Sequence, residues 1–282
     1  MLPPVVSVDN MRRSDAATIE KRVSSTELMR RAAQGIFDAV KFAGRVAIVC
    51  GGGNNGGDGY ALACILLSHG FTPTIFRVSE HFSDDGLYYY RNAMAAGCEE
   101  GSLRVPAALQ GFDIVVDCIL GTGFRGTLSD SVKQAIEAIN AGGAFVVSAD
   151  INSGVNGDTG VAETAVNSDV TVSIGAYKTG MFLGDAPYYM DKLVNADIGI
   201  ELLDPPYHLI DFEQVSLFEG YNSTVMTMEE FLQETGSTPD TCDAAGFVAE
   251  MTKATRRTVV VRTDHTAVIG DLNYVYFAAD YI

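Results

Sequence analysis

Three short polar stretches, each at the end of an apolar run, carry the residues in this chain that could do chemistry. The first, Gly51-Gly52-Gly53-Asn54-Asn55-Gly56-Gly57-Asp58-Gly59, places six glycines in nine residues. Glycine lets backbone N–H groups approach an anion closely, and the amino terminus of a following helix attracts negative charge, so the stretch reads as a diphosphate cradle. It has neither the Lys-Ser/Thr of a P-loop nor the spacing of GxGxxG. A plain strand-to-helix turn would explain two or three of the glycines, but not the added Asn54, Asn55 and Asp58. The second stretch runs from Asp117 through Gly121-Thr122-Gly123-Phe124-Arg125-Gly126, and the third is Asp150-Ile151-Asn152-Ser153-Gly154. Either aspartate alone could be a cap or turn residue. Taken with Asn55 and Ser153, they make an oxygen-only set that suits a hard cation better than zinc, and a monovalent ion as well as a divalent one.

These stretches need elements to hold them. From Met11 to Ala43 apolar residues recur at helical spacing, which predicts one or two helices with Ser24 or Ser25 as an N-cap. Arg45–Cys50 reads as a buried strand, Asp58–His69 as a helix ending at Gly70, and Phe71–Val78 as a second strand. A helix over Tyr88–Ala96, strand Asp113–Asp117, helix Ser129–Asn140 and strand Ala144–Ala149 follow. Two further apolar runs lie at Asp169–Ile174 and Leu193–Ile198. Apolar strands alternating with helices predict an α/β fold, a Rossmann-like doubly wound, mainly parallel sheet covered on both faces. Right-handed crossovers then bring all three polar stretches to one rim, beyond the carboxyl ends of the strands, where ligands of such sheets bind.

Charge limits the partners. The chain has 282 residues with 19 Lys and Arg against 36 Asp and Glu, a net charge of -17. Duplex DNA and anionic membranes both need a basic footprint, so neither fits. The excess is uneven: residues 201–282 hold 14 acids and 4 bases, and residues 1–200 hold 22 and 15. Most of it is therefore expected away from the rim. The five cysteines are widely spaced, with no CxxC, and read as core residues in a reducing compartment. With no signal-like start and no long apolar run, a cytoplasmic protein is expected.

The motifs Asn54-Asn55-Gly56-Gly57-Asp58-Gly59, Asp117 with Gly121-Thr122-Gly123, and Asp150-Ile-Asn-Ser153-Gly154 followed by Asp158-Thr159-Gly160 resemble those of the NAD(P)H-hydrate epimerase family, the YjeF-type amino-terminal domain. Met11-Arg-Arg-Ser-Asp15 with Leu28-Met29 resembles its opening helices. Ile174-Gly175-Ala176-Tyr177-Lys178-Thr179-Gly180 and Asp197-Ile198-Gly199-Ile200 resemble its closing segments. The resemblance covers residues 5 to 204 in order and implies an epimerase domain over 1–204. It implies interconversion of the R and S forms of hydrated NADH or NADPH, the substrate, with a separate dehydratase completing the repair and a homodimer as the assembly. By matching positions, Asn54, Asn55, Gly56, Gly57, Asp58, the run Gly121, Thr122, Gly123, Phe124, Arg125, Gly126, Thr127, and Asp150 would contact the substrate. Asn55, Asp117 and Ser153 would hold one potassium ion (K+) per subunit. Asp150 is the expected acid/base, and Lys178 a second catalytic candidate whose plainer reading is a surface lysine. Asn152 stands where the family has proline, which is expected to loosen the loop presenting Asp150 and Ser153. Arg30-Arg31 replaces a Glu-Asn pair and alters a helix contact.

Residues 205–282 resemble scattered pieces of a ribokinase-like dehydratase, in Met228–Gly236 and in Thr258–Gly270. Val261-Arg262-Thr263 stands where such proteins read Leu-Lys-Gly, and no Gly-Thr-Gly-Asp loop follows. The segment reads as an acidic, non-catalytic extension, a degenerate dehydratase-like remnant, with His208 and His265 as surface or capping residues. A non-catalytic nucleotide-sensing or partner-binding protein that keeps the pocket is the alternative function. An ordinary dehydrogenase is disfavoured by the missing GxGxxG and by the lack of a histidine at the rim.

Overall fold

Five-residue runs rich in valine and isoleucine cannot leave either face in water, and here they form the centre of a parallel sheet. The structure is a computed structural model in which residues 2–104, 107–204 and 207–282 are described. In chain order the elements are β1 (Pro4–Val6), α1 (Val8–Lys21), α2 (Ser25–Ala39), β2 (Val46–Cys50), α3 (Asn54–Ser68), β3 (Thr74–Arg77), α4 (Asp84–Ala95) and β4 (Glu99–Gly101). Then come β5 (Ile114–Cys118), α5 (Asp130–Asn140), β6 (Phe145–Ala149), β7 (Val170–Ile174), β8 (Tyr177–Lys178) and β9 (Leu193–Ala196). The remainder comprises β10 (Tyr207–Asp211), β11 (Ser223–Thr227), α6 (Met228–Thr235), α7 (Ala244–Thr255), β12 (Thr258–Arg262), β13 (Thr266–Gly270) and β14 (Val275–Ala279).

The first sheet has the order β4-β3-β2-β5-β6-β7-β9, with every pairing parallel. From β2 the chain first builds outward through β3 and β4, then returns to the other side of β2 with β5. The strand order therefore reverses between β2 and β5, and the loops leaving these two strands flank a crevice. The capping expected for the second helix is present: the Ser24 hydroxyl accepts from the N–H of Glu27. Helix α3 begins at Asn54 rather than at Asp58, so the glycine-rich stretch supplies the helix's first turn. Packing explains this. A Cβ on Gly56 would lie 2.1 Å from the Gly51 carbonyl oxygen, and one on Gly59 would lie 2.8 Å from Cys50 Sγ and 2.9 Å from Cys118 Cβ. These glycines let α3 sit directly on β2 and β5, and so are used for close approach rather than for loop freedom.

A second sheet runs β11-β12-β13-β14-β10-β1-β8 with mixed directions. Its last two strands come from the first 204 residues and the other five from beyond them. One face packs Phe231, Val248, Val261 and Phe277 against Met181, Phe182 and Leu183, and the other buries Ile210, Val215, Val260 and Ile269. The boundary expected at 204/205 touches Pro205 and Pro206, which lie outside the described residues.

Asn152 does the opposite of loosening its loop. It is fully buried, its Nδ2 donating to the carbonyl oxygens of Val166 and Tyr189, both at 2.8 Å, and to Ser168 Oγ at 2.9 Å. Its Oδ1 accepts from Thr171 Oγ1 at 2.5 Å. A side chain that can make these bonds replaces the ring constraint of proline with a hydrogen-bonded anchor. Asn152→Ala strands buried carbonyl oxygens and is expected to cost about 3 kcal/mol of unfolding free energy. Denaturant titration of both proteins checks this; a loss under about 1 kcal/mol would mean the anchor is not holding the loop.

Candidate functional site

A cavity of about 540 Å³ opens beyond the carboxyl ends of β2, β5, β6 and β7 and is walled on the outside by α1 and α2. Asn54, Asn55, Asp58, Gly121, Thr122, Gly123, Phe124, Asp150 and Lys178 line it. Gly56 and Gly57 are buried within the first turn of α3, behind the cavity wall. Arg125, Gly126 and Thr127 do not line it. Arg125 is turned aside onto Asp158, with its Nη2 2.6 Å from Oδ2, while the other Asp158 oxygen accepts from the N–H of Val8 at 2.8 Å.

Asp150 and Lys178 form the centre of the site. Lys178 is fully buried, which rules out the surface-lysine reading. Its Nζ lies 2.5 Å from Asp150 Oδ1 and also donates to the Ile174 carbonyl oxygen at 2.8 Å and Ser173 Oγ at 3.3 Å. The other Asp150 oxygen accepts from Thr122, from the backbone N–H at 2.9 Å and from Oγ1 at 3.0 Å. Asp150 has φ 66°, a left-handed conformation that aspartate adopts more readily than most residues. Burial alone would push its carboxyl up. The Lys178 charge and hydrogen bond, together with Thr122, outweigh that and hold it below the ordinary value, so the group is a carboxylate.

Sequence reasoning missed part of the wall. Asp15 lines the cavity from α1, in register with Val8, Met11 and Ile19, and Leu28, Met29 and Ala32 line it from α2. The signal was available: Asp15 falls four residues after Met11 and four before Ile19, a carboxylate on the apolar stripe of an amphipathic helix. The pocket is also less free of acid than the charge distribution implied, since among the described residues Asp15, Asp58, Asp85 and Asp150 share it with Arg12 and Lys178 as the bases. Two of these aspartates have their carboxyl pKa values pushed upward. Burial and then the neighbouring Asp150 raise Asp15, and burial followed by Asp150 and Asp15 raises Asp58 well above the ordinary carboxylate value, with Lys178 opposing in each case.

The oxygen set lies beneath this wall. Asp117 is fully buried; burial raises its carboxyl, and hydrogen bonds from Ser153, Ile119 and Ser148 oppose the rise. Its Oδ1 accepts from Ser153 Oγ at 2.5 Å and its Oδ2 from the Ser153 N–H at 2.9 Å and Ser148 Oγ at 3.0 Å. Ser153 Oγ also accepts from the Leu120 N–H at 2.9 Å, and Asn55 Nδ2 donates to the Leu120 carbonyl oxygen at 2.9 Å. Asn55 Oδ1 is buried with no hydrogen-bond partner among the described residues. An unpaired buried acceptor beside a buried carboxylate is what a bare cation would satisfy. Among the described residues no group of three or more His, Cys, Asp or Glu is placed to hold a metal, so any such ion rests on neutral oxygens as well.

Residues 25–180 match the family described as YjeF-related protein N-terminus. The chain belongs to this family. Its relatives include the NAD(P)H-hydrate epimerase of Limosilactobacillus fermentum, 32% identical over 208 residues that cover 70% of this chain and 98% of that protein. They also include the bifunctional NAD(P)H-hydrate repair enzyme Nnr of Coxiella burnetii, 32% identical over 67% of this chain and 40% of that protein. The corresponding Nnr of Methanothermobacter thermautotrophicus is 39% identical over 61% of this chain and 35% of that protein. The chain thus matches well under half of the length of these two bifunctional relatives. The crystal structure of yeast ynu0, YNL200c, shares the fold, with TM-score 0.58 and 20% identity over 71% of this chain and 95% of that one. Against the family's Glu-Asn pair, Arg30 and Arg31 both bind Glu27, at 2.7 and 3.0 Å. Arg31 also donates to the Ile198 carbonyl oxygen at 3.2 Å, so the altered pair ties α2 to the segment that closes the cavity.

The raised carboxyl of Asp58 has a consequence for stability. A carboxyl whose folded pKa lies above its unfolded value contributes nothing adverse below the unfolded value and costs stability as pH rises past it. Asp58→Asn is therefore expected to raise the melting temperature at pH 7, with the gain shrinking as pH falls toward 4. Thermal melts of both proteins across that range check it; a gain that grows on acidification would be the wrong sign.

Proposed function

We propose that the protein is an NAD(P)H-hydrate epimerase, an isomerase interconverting the R and S forms of hydrated NADH and NADPH. The observation that carries this reading is the buried Asp150–Lys178 pair opening into a cavity that the glycine-rich amino terminus of α3 also lines. The names of the relatives support it. Backbone N–H groups at Gly52, Gly53 and Asn54, where α3 begins, suit the diphosphate. The apolar side chains of Met11, Leu28, Met29 and Ile198 suit the flat rings.

Hydration leaves a hydroxyl on the ring carbon beside the ring nitrogen. The nitrogen lone pair expels it to form an iminium, and water returning from either face gives either epimer. The protein then needs only a proton for the departing oxygen, a negative charge for the iminium and a group to take the proton back. Asp150, kept ionised by Lys178, supplies the charge and accepts the proton; Lys178 holds the carboxylate in place with an ammonium that can assist hydroxide departure. Asp58, whose carboxyl is pushed well above its ordinary value by burial and then by Asp150 and Asp15, lines the same cavity and is a further candidate donor. Asn55, Asp117 and Ser153 suit a potassium ion, which would add positive charge beside the loop that receives the diphosphate. We further assign the reaction to the cytoplasm and to a homodimer, working with a separate NAD(P)H-hydrate dehydratase. The free cysteines fit a reducing compartment, and among the described residues no helix is long and apolar enough to cross a membrane.

Chromatographic separation of the two epimers provides the test. The purified protein should equilibrate either one. Asp150→Asn, which keeps the side-chain shape, should slow this about 100-fold or more while its circular dichroism stays that of the parent; an unchanged rate would remove Asp150 from its role. Asn55→Ala is expected to abolish any dependence of the rate on added potassium. If the parent shows no epimerisation with either cofactor, a nucleotide-binding role without turnover replaces this reading.

A further inference from the structure

Residues 207–282 are not needed to form the cavity, since none of them lines it. Matches to stand-alone epimerases of this family cover about 70% of the chain, and they take in nearly all of those proteins, 98% and 100%. What the additional segment does is visible in its attachment to Lys178. Strand β8 is only Tyr177–Lys178 and lies at the edge of the second sheet, where it pairs with β1 through Val5–Tyr177 and Val6–Lys178. A two-residue edge strand cannot hold a position by its own hydrogen bonds. Its strand partner, β1, has three residues and is flanked on the other side by β10, through Pro4–His208 and Val5–Tyr207, and β10 pairs with β14. The chain on which Lys178 rides is thus continuous with the strands of the carboxyl-terminal segment.

A second attachment follows at once. The single 3₁₀ turn after Lys178, Thr179–Phe182, carries Phe182, whose ring centroid lies 5.6 Å from that of Phe277 in β14. The buried Tyr281 hydroxyl donates to the Met181 carbonyl oxygen at 2.7 Å, and the Tyr281 carbonyl oxygen accepts from the N–H of Leu193, at the start of β9, also at 2.7 Å. Tyr281 therefore bridges the turn behind Lys178 to the edge of the first sheet. Lys178 sits in the second sheet, while its acceptors belong to the first: the Ile174 carbonyl oxygen and Ser173 on β7, and Asp150 after β6. Ser173 and Ile174 lie within five residues of Lys178, so it is the contact of the buried ammonium with Asp150 that requires the two sheets to keep one relative position.

We propose that the carboxyl-terminal segment is a brace that locks Lys178 against Asp150, with Tyr281 as its positioning residue. The catalytic part of this statement rests on the epimerase reading above; the positional part does not. The segment is in this view an integrated part of the site's support and not an idle remnant of a second enzyme.

Tyr281→Phe removes one hydroxyl and keeps the ring in the core. Acetylation of Lys178 by an amine-reactive ester, followed by mass spectrometry, reports how often the buried ammonium is released, because only an opened site reacts. The parent should be strongly protected, and Tyr281→Phe should label about tenfold faster, as expected for a lost buried hydrogen bond. Val260→Ala, a truncation in the same sheet but in the cluster on its opposite face, is the control for general loosening. It should leave the labelling rate within about twofold of the parent. In the epimerisation assay Tyr281→Phe should lower kcat several-fold with KM unchanged, and Val260→Ala should change neither. Equal labelling of Lys178 in parent and Tyr281→Phe, or equal acceleration in Tyr281→Phe and Val260→Ala, overturns the brace. An inactive parent would instead overturn the epimerase reading and leave the labelling comparison decisive for the brace.

Discussion

The ammonium of Lys178, fully buried and held by three acceptors, is the constraint on which the rest of the site depends. An unpaired charge in that position would cost several kcal/mol, so the fold must deliver its partners together. Asp150 comes from the loop after β6 in a left-handed conformation, Ser173 and Ile174 come from the end of β7, and Lys178 comes from a short strand of a different sheet. Thr122, on the loop after β5, takes up the second Asp150 oxygen and so joins a fourth segment to the same pair. The ends of three strands of the parallel sheet, β5, β6 and β7, and one strand of the second sheet converge on this ion pair.

The charge on the pair also sets the chemistry around it. One lysine neutralises one aspartate, and it is Asp150 that receives it, which leaves Asp15 and Asp58 with burial and like charge and no cation of their own. Their pKa values move in the opposite direction from that of Asp150. The protein's overall negative charge does not by itself exclude an anionic ligand here, because the cavity is lined by the amino terminus of α3, whose dipole acts at short range.

The second sheet takes strands from both parts of the chain, β1 and β8 from the first 204 residues and five from beyond them, and its core mixes Met181, Phe182 and Leu183 with Phe231, Val248 and Phe277. A core built equally from both parts of the chain cannot be divided without exposing it. This makes the carboxyl-terminal segment part of one folded unit, whatever its ancestry, and it accounts for a terminal tyrosine being fastened to the turn that follows Lys178.

Much of this was readable in the sequence. The β-branched runs located the strands of the parallel sheet because residues buried on both faces leave no polar alternation, and the Ser24 cap and Gly70 placed helix ends within a residue or two. Asn54, Asn55, Asp58, Gly121 to Phe124 and Asp150 could be placed at one rim, where they line the cavity, because each falls just beyond the end of an apolar strand. Other features were decided by tertiary contacts alone. That α3 starts at Asn54 depends on how closely its glycines meet β2 and β5. Asn152 anchors its loop because Val166, Ser168, Thr171 and Tyr189 surround it, and no local pattern brings those four together. The difference between a surface lysine and the buried Lys178 lies in a second sheet completed by residues as distant as Tyr281. The sequence alone determined which residue types stood at the strand ends, because burial periodicity is local. Their pairing, burial and protonation were left to the tertiary structure, because those depend on long-range neighbours that no spacing along the chain encodes.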